Sequence, residues 1–221
     1  MCIRDRAEIA SEYRYRDPIV GENELFIAVS QSGETADTLA ALREAKRRGA
    51  RVMAICNVVG STITREAGEE NTLYTYAGPE IAVASTKAYI TQAELMVMLA
   101  VALADLRGQI SPERAAQLME GLSDLPRKAE QALAVEEQLQ RLTSMLSQKR
   151  HVFFVGRGMD YALSMEAALK LKEVSYIFSE AYAAGELKHG PIALLKEGRL
   201  VVATLTQPAL LEKTMSNLRE V

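Results

Sequence analysis

Residues 25–38 read LFIAVSQSGETADT, and this stretch constrains the fold more than any other. Leu25, Phe26, Ile27, Ala28 and Val29 form an apolar run of strand length, the pattern of a central parallel strand covered on both faces. Ser30, Gln31, Ser32 and Gly33 break the run, and from Thr35 the spacing of Leu39, Leu42 and Ala45 becomes helical. Strand, hydroxyl-rich turn and helix in that order put the turn at the carboxyl end of a strand and the amino end of a helix.

In an open α/β sheet that edge binds ligands, and a helix amino terminus offers unpaired N–H groups carrying roughly half a positive charge. Three hydroxyls (Ser30, Ser32, Thr35), the amide of Gln31 and a glycine that admits close backbone suit a phosphate monoester. No lysine follows Gly33 and no G-x-G-x-x-G is present, so the loop matches neither nucleotide fingerprint. A small phosphorylated metabolite fits better than a nucleoside triphosphate. The plainer alternative, that Ser32 or Thr35 only caps the helix at a value of about 1 kcal/mol, stays open at this stage.

At 221 residues the chain can bury one large or two modest cores. Its 48% hydrophobic and 25% charged residues are those of a globular protein. A net charge of −3 gives no basic face for nucleic acid or an anionic membrane. Two widely separated cysteines, Cys2 and Cys56, point to a reducing, cytoplasmic setting. The apolar stretch 94–106 reads as a core helix too short to span a bilayer, and no membrane partner is expected. There is no His/Cys/carboxylate cluster with ligand spacing, so neither a metal nor a cofactor is expected.

Further along, a helix over 35–48 stops at Gly49, VMAIC (52–56) is a second buried strand, 63–67 a helical turn and 72–76 a third strand. This alternation implies a parallel sheet with right-handed crossovers. GPEIAVAST (78–86) is a second hydroxyl-bearing helix start, whose plainer reading is a cap by Ser85 or Thr86. Residues 108–149 form a helical connector opening at Ser111-Pro112-Glu113. A new α/β pattern begins with HVFFV at 151, followed by Gly156-Arg157-Gly158. The sequence from Leu200, LVVATLTQPALLEKTMSNLREV, echoes that from Leu25 without the S-x-S-x-x-T, so a duplicated fold would keep one phosphate loop.

MEAALKLKEVSYI (165–177) is helical and apolar round most of its circumference, the mark of a largely buried helix. Lys170 lies three residues before Glu173 and four after Glu166, so the three share a face. A salt-bridged solvent stripe is the ordinary meaning of such spacing. The segment that follows, AYAAGELKHGP (181–191), carries His189 in a Gly/Ala-rich loop better suited to an active site than to a core.

SQSGETADTL, AICN, EIAVASTKA, the ALKLKE helix and EAYAAGELKHGP together resemble the isomerase half of the glutamine:fructose-6-phosphate aminotransferase family, also called glucosamine-6-phosphate synthases, over about residues 7–221. The resemblance implies two sugar-isomerase (SIS) modules, each a flavodoxin-like α/β/α layer with a parallel sheet. The first module would occupy 7–107 and the second would begin at 150. Ser30, Gln31, Ser32 and Thr35 would hold the phosphate of fructose 6-phosphate or glucosamine 6-phosphate, and Val83 and Ser85 would line the sugar. Glu173 would be the base that moves a proton between C1 and C2, with Lys170 beside it. His189 would serve ring opening from a neighbouring subunit, which implies a homodimer. A base reaching two adjacent carbons needs a carboxylate whose pKa partial burial raises and a nearby lysine restrains, and is worth about 10²–10⁴ in rate.

The chain also departs from that family. Met1-Cys2 imitates the start of the family's glutaminase domain, whose amino-terminal cysteine attacks glutamine, but Ile3-Arg4-Asp5-Arg6 does not continue it. Residues 1–6 are read as foreign to the family. The first module's opening strand and the tail with the family's Schiff-base lysine are also missing, so the expectation is a fragment, with both modules incomplete and not competent alone. The alternatives are a non-catalytic phosphosugar-binding SIS regulator, or another SIS sugar-phosphate isomerase or deaminase.

Overall fold

The computed structural model describes residues 6–220, so the reading of residues 1–6 as foreign falls, except for Arg6, outside the described residues. The chain divides into two compact units, Met1–Leu125 and Pro126–Val221.

Unit 1 runs α1 (Ala10–Tyr13), β1 (Leu25–Ser30), α2 (Ala36–Arg47), β2 (Arg51–Cys56), α3 (Thr62–Ala67), β3 (Thr72–Tyr74), α4 (Lys87–Leu106) and α5 (Pro112–Ser123). The strands form one parallel sheet in the order β1-β2-β3. Ser30 pairs in register with Cys56, and Cys56 with Tyr74, so all three strands deliver their following loops to one edge. Leu39, Ala41, Leu42 and Ala45 of α2 pack with Ala28, Val52, Ala54 and Ile63 in the core of this unit. Tyr13 lies against Phe26 with ring centroids 5.0 Å apart. Gly49, at φ +94°, ends α2 in the left-handed conformation that lets Ala50 donate back to Ala45 (3.1 Å).

Two expectations for unit 1 are corrected. Among the described residues β1 is an edge strand, and its burial alternates: Ala28 and Ser30 are buried while Leu25 and Val29 are exposed. An apolar run records what a strand prefers but does not specify how many neighbours it has. The long helix starts at Lys87, seven residues before the run that begins at Glu94, and its 20 residues are long and apolar enough to cross a bilayer by length and composition alone. It is not a core helix of this unit either, since only Ala88 and Val101 are buried. The same length and composition occur in core helices of soluble proteins, and periodicity cannot say what covers such a helix.

Unit 2 contains α6 (Leu125–Leu133, which starts at the boundary), α7 (Glu136–Leu146), β4 (His151–Gly156), α8 (Met159–Ser175), β5 (Phe178–Ala183), β6 (Leu200–Ala203) and α9 (Leu211–Glu220). Its sheet is parallel in the order β5-β4-β6. Here the apolar run HVFFV is the central strand, buried from Val152 to Val155. α8 packs on β4 and β5 with Ala168 in the core beside Val152 and Phe154, but Met165, Leu169 and Val174 are exposed, so the expectation of a largely buried helix is also corrected. Gly156 lets β4 run into α8 at close range: a Cβ there would stand 2.3 Å from the Asp160 main chain.

Candidate functional site

The loop after β1 turns on its own hydroxyls. Ser30 Oγ accepts the Gly33 N–H (3.0 Å) and Ser32 Oγ accepts the Glu34 N–H (3.2 Å). Gly33, at φ +69°, completes the turn, and a Cβ there would fall 2.1 Å from Ser61 Oγ. Thr35 occupies the N-cap position of α2, yet among the described residues no side-chain cap bond is made there. Neither Ser32 nor Thr35 therefore serves as the cap, and the first N–H groups of α2 keep their donor capacity beside an exposed hydroxyl.

The loop is braced from the next crossover. The Asn57 N–H donates to Gln31 O (3.2 Å), the Ile63 N–H to Gly33 O (3.0 Å), and the Thr62 N–H to Glu34 Oε1 (2.7 Å). The Cys56 thiol lies 3.6 Å from Gln31 O and 3.4 Å from Ser61 Oγ. The Thr62 main-chain bond holds the Glu34 carboxyl below the usual glutamate range. Asn57, 9% exposed, also reaches the loop after β3: its Oδ1 accepts from Thr75 Oγ1 (3.1 Å) and Ala77 N (2.8 Å), and its Nδ2 donates to Gly78 O (2.8 Å). Neither Asn57 nor Glu34 stands out by residue type. The signal for Asn57 was its place immediately after a strand, at the edge where the loops meet.

Beyond β3, Val83 is fully exposed and Ser85 is half-buried. The Ser85 hydroxyl donates to Glu80 Oε1 (3.2 Å), which also accepts the Ala88 N–H (3.0 Å). The Ala88 main-chain bond keeps the Glu80 carboxyl below its usual range. The cap of α4 is thus Glu80, not Ser85 or Thr86, and this second helix start already holds an anion of its own.

In unit 2, Lys170 Nζ donates to Glu173 Oε2 (2.5 Å) and lies 3.7 Å from Glu166 Oε1. Desolvation works to lower the Lys170 pKa, but the Glu173 bond and the charges of Glu166 and Glu173 outweigh it and hold the ammonium above the usual lysine value. Glu173 is exposed near the end of α8. His189 is exposed on the one-turn 3-10 helix Leu187–His189, anchored by the buried Leu187. The two sets of sequence-picked residues therefore lie in different units: Ser30, Gln31, Ser32, Thr35, Val83 and Ser85 in the first, Lys170, Glu173 and His189 in the second.

The echo of the phosphate loop, after β6, is filled from within. Asp160, 3% exposed, accepts the Thr206 N–H (3.0 Å) and the Thr206 hydroxyl, and Gln207 Nε2 donates to Arg157 O (2.7 Å). A protein carboxylate, Asp160, takes the donors of Thr206 in this second loop.

Among the described residues no group of three or more His, Cys, Asp and Glu is placed to hold a metal ion.

Comparison with known proteins agrees with this architecture. The family model described as the SIS domain matches residues 6–102 and 145–221. The glutamine–fructose-6-phosphate aminotransferase (isomerizing) of Symbiobacterium thermophilum is 59% identical over 96% of the chain, and that of Clostridium tetani 56% over 97%. The chain spans 35% of the length of each. Among solved structures, the C-terminal domain of glucosamine-fructose-6-phosphate aminotransferase from Francisella tularensis superposes with a TM-score of 0.92 at 43% identity, covering 96% of this chain and 60% of that one. A glucosamine-6-phosphate deaminase from Thermotoga maritima follows at 0.68 and 27%, over 96% and 62%. With a parallel sheet in each unit, the loop at the carboxyl edge of the first and a family model covering both units, the chain belongs to the SIS domain family.

Proposed function

We propose that this chain is a segment of a glutamine:fructose-6-phosphate aminotransferase, and that its unit 1 loop holds the phosphate of fructose 6-phosphate. The observation that carries the reading is the uncapped amino end of α2, flanked by Ser30, Gln31, Ser32 and Thr35 at the carboxyl edge of a parallel sheet. The names of the relatives from Symbiobacterium thermophilum and Clostridium tetani support the substrate. Val83 and Ser85 are assigned to the sugar.

The reading assigns the proton transfer to α8. Glu173 takes a proton from C1 and returns it to C2, and Lys170, bonded to it, holds it oriented. His189 opens the sugar ring from the partner subunit of a dimer. The rest of the reaction, the release of ammonia from glutamine, belongs to parts of the relatives that lie beyond the third of their length matched here. A cytoplasmic setting follows from this metabolic role.

A deaminase on the same modules is the second reading, favoured by the likeness to the Thermotoga maritima structure. The test is calorimetric titration of the chain with fructose 6-phosphate and glucosamine 6-phosphate, beside a Ser32→Ala/Thr35→Ala double variant. Saturable binding that the variant loses supports the loop assignment; binding unchanged in the variant overturns it. If the chain binds neither sugar phosphate while folded, the phosphosugar reading of this chain falls.

A further inference from the structure

Glu34 is an anomaly at a phosphate loop. It sits between Gly33 and Thr35, where a carboxylate would repel the anion that the hydroxyls and the α2 amino end attract. The structure engages it elsewhere. Glu34 Oε1 accepts the Thr62 N–H at 2.7 Å, and Thr62 is the first residue of α3. Ser61, the N-cap of α3, makes no side-chain cap bond, so the glutamate stands in for it. Two main-chain bonds, Asn57 N to Gln31 O and Ile63 N to Gly33 O, run between the same two loops, and Gly33 lies against Ser61 with no room for a Cβ. Glu34 is the charged member of this brace, and substitution can remove it without touching the backbone of the phosphate loop.

We propose that Glu34 is a positioning residue of the sugar-phosphate loop: by capping Thr62 it fixes the turn that presents Ser30, Ser32 and Thr35, and holds its charge at the amino end of α3 rather than that of α2. This rests on the phosphosugar reading above. A carboxylate to main-chain N–H bond is charge-assisted and directional, so it can hold one loop geometry where a neutral contact would permit several. Arg65 stands beside the pair, its guanidinium donating to Thr62 Oγ1 (2.9 Å), and adds a favourable charge.

The partner can be deleted independently. Proline is tolerated at a first helical position, and Ser61, at φ −65° and ψ 167°, already has the extended backbone that a following proline requires. Thr62→Pro therefore removes the N–H without breaking α3, and Thr62→Ala is its control, keeping the N–H while losing the hydroxyl's contacts with Arg65 and Glu34.

The experiment titrates fructose 6-phosphate and inorganic phosphate against the parent chain and against Glu34→Ala, Glu34→Gln, Thr62→Pro, Thr62→Ala and the Glu34→Ala/Thr62→Pro pair, with a thermal melt on each. Glu34→Ala and Thr62→Pro should each weaken sugar-phosphate binding about tenfold, and the pair no further, because both remove one bond. Glu34→Gln, whose amide oxygen still accepts, and Thr62→Ala should bind within about twofold of the parent chain. If Glu34 were only a nearby charge, the Ala and Gln variants would both tighten binding; that result, unchanged binding in Glu34→Ala, or losses that multiply in the pair overturns the proposal. A parent chain that binds no sugar phosphate overturns the phosphosugar reading, and this proposal with it. If Glu34→Ala fails to fold, Thr62→Pro and Glu34→Gln carry the test.

Discussion

Asn57 joins two loops that are separate in sequence: its main-chain N–H donates to the carbonyl of Gln31 across 3.2 Å, while its side chain bonds Thr75, Ala77 and Gly78. The residue follows the central strand of unit 1, so the loops from the two flanking strands are both tied to it. Three side-chain bonds at a nearly buried position exceed what a surface asparagine makes.

Asn57→Ala should cost about 1–3 kcal/mol, because it leaves the Ala77 N–H and the Gly78 carbonyl without their partners. Asn57→Asp keeps the acceptor and loses the donor, and should fall between the two. Denaturant unfolding checks this: the midpoint moves down in that order at an unchanged slope.

Gly33→Ala should be among the most damaging single substitutions in unit 1. At φ +69° an alanine is strained by about 1–3 kcal/mol before any contact is counted. Its Cβ would also meet Ser61 Oγ at 2.1 Å and Cys56 Sγ at 2.8 Å. The expected result is a lowered melting temperature together with lost fructose 6-phosphate binding. Ser61→Gly in the same chain should recover part of the stability by removing the nearest clash. A Gly33→Ala chain as stable as its parent would contradict this account of the turn.

Unit 2 should show an alkaline signature from Tyr182. Its hydroxyl donates to the Glu180 carboxylate, which, aided by burial, pushes the phenol up to about 12. The folded value lies above the unfolded value of about 10, so the contribution is fully present below pH 10 and fades as pH rises through about 12. Spectroscopic titration of the phenolates should find a late step near pH 12 that is absent in Tyr182→Phe, whose stability should decline less over that interval.

Asp160 should govern the acid side of the same unit. The bonds from Thr206 hold its carboxyl below the usual aspartate value, so its contribution is present above about pH 4 and is lost as pH falls through the lowered value. Asp160→Asn should be less stable at neutral pH and should lose less on acidification. Acid titration followed by circular dichroism, run on both chains, tests both parts. Equal acid profiles would mean that the carboxylate does not hold the β6 loop.

Most strands and their parallel pairing were legible in the sequence, since LFIAVS, VMAIC, HVFFV and LVVA carry the apolar run and the turn signals of α/β units, but β5 was not: FSEAYA lacks such a run, and its last residues, Ala181–Ala183, read as the start of a loop. What a run cannot express is its neighbourhood. LFIAV and HVFFV look alike, yet the first is an edge strand with Val29 exposed and the second is buried between two partners. The same limit explains α4 and α8, whose apolar circumference indicated buried helices while most of each remains open within its unit.

At the candidate site the sequence by itself determined the chemistry on offer: three hydroxyls, an amide and a glycine between a strand and a helix, because residue type and local periodicity are enough to place a turn at a helix amino end. Only the tertiary structure decided which of those groups are free. Capping is a matter of side-chain rotamer and of what another loop supplies. In this chain Thr35 leaves α2 uncapped, Glu34 caps α3 across 28 residues of sequence, Glu80 caps α4, and Asp160 fills the second loop. The Glu80 cap is local, but the Glu34–Thr62 and Asp160–Thr206 pairings form between segments distant in the chain, where no local pattern records them.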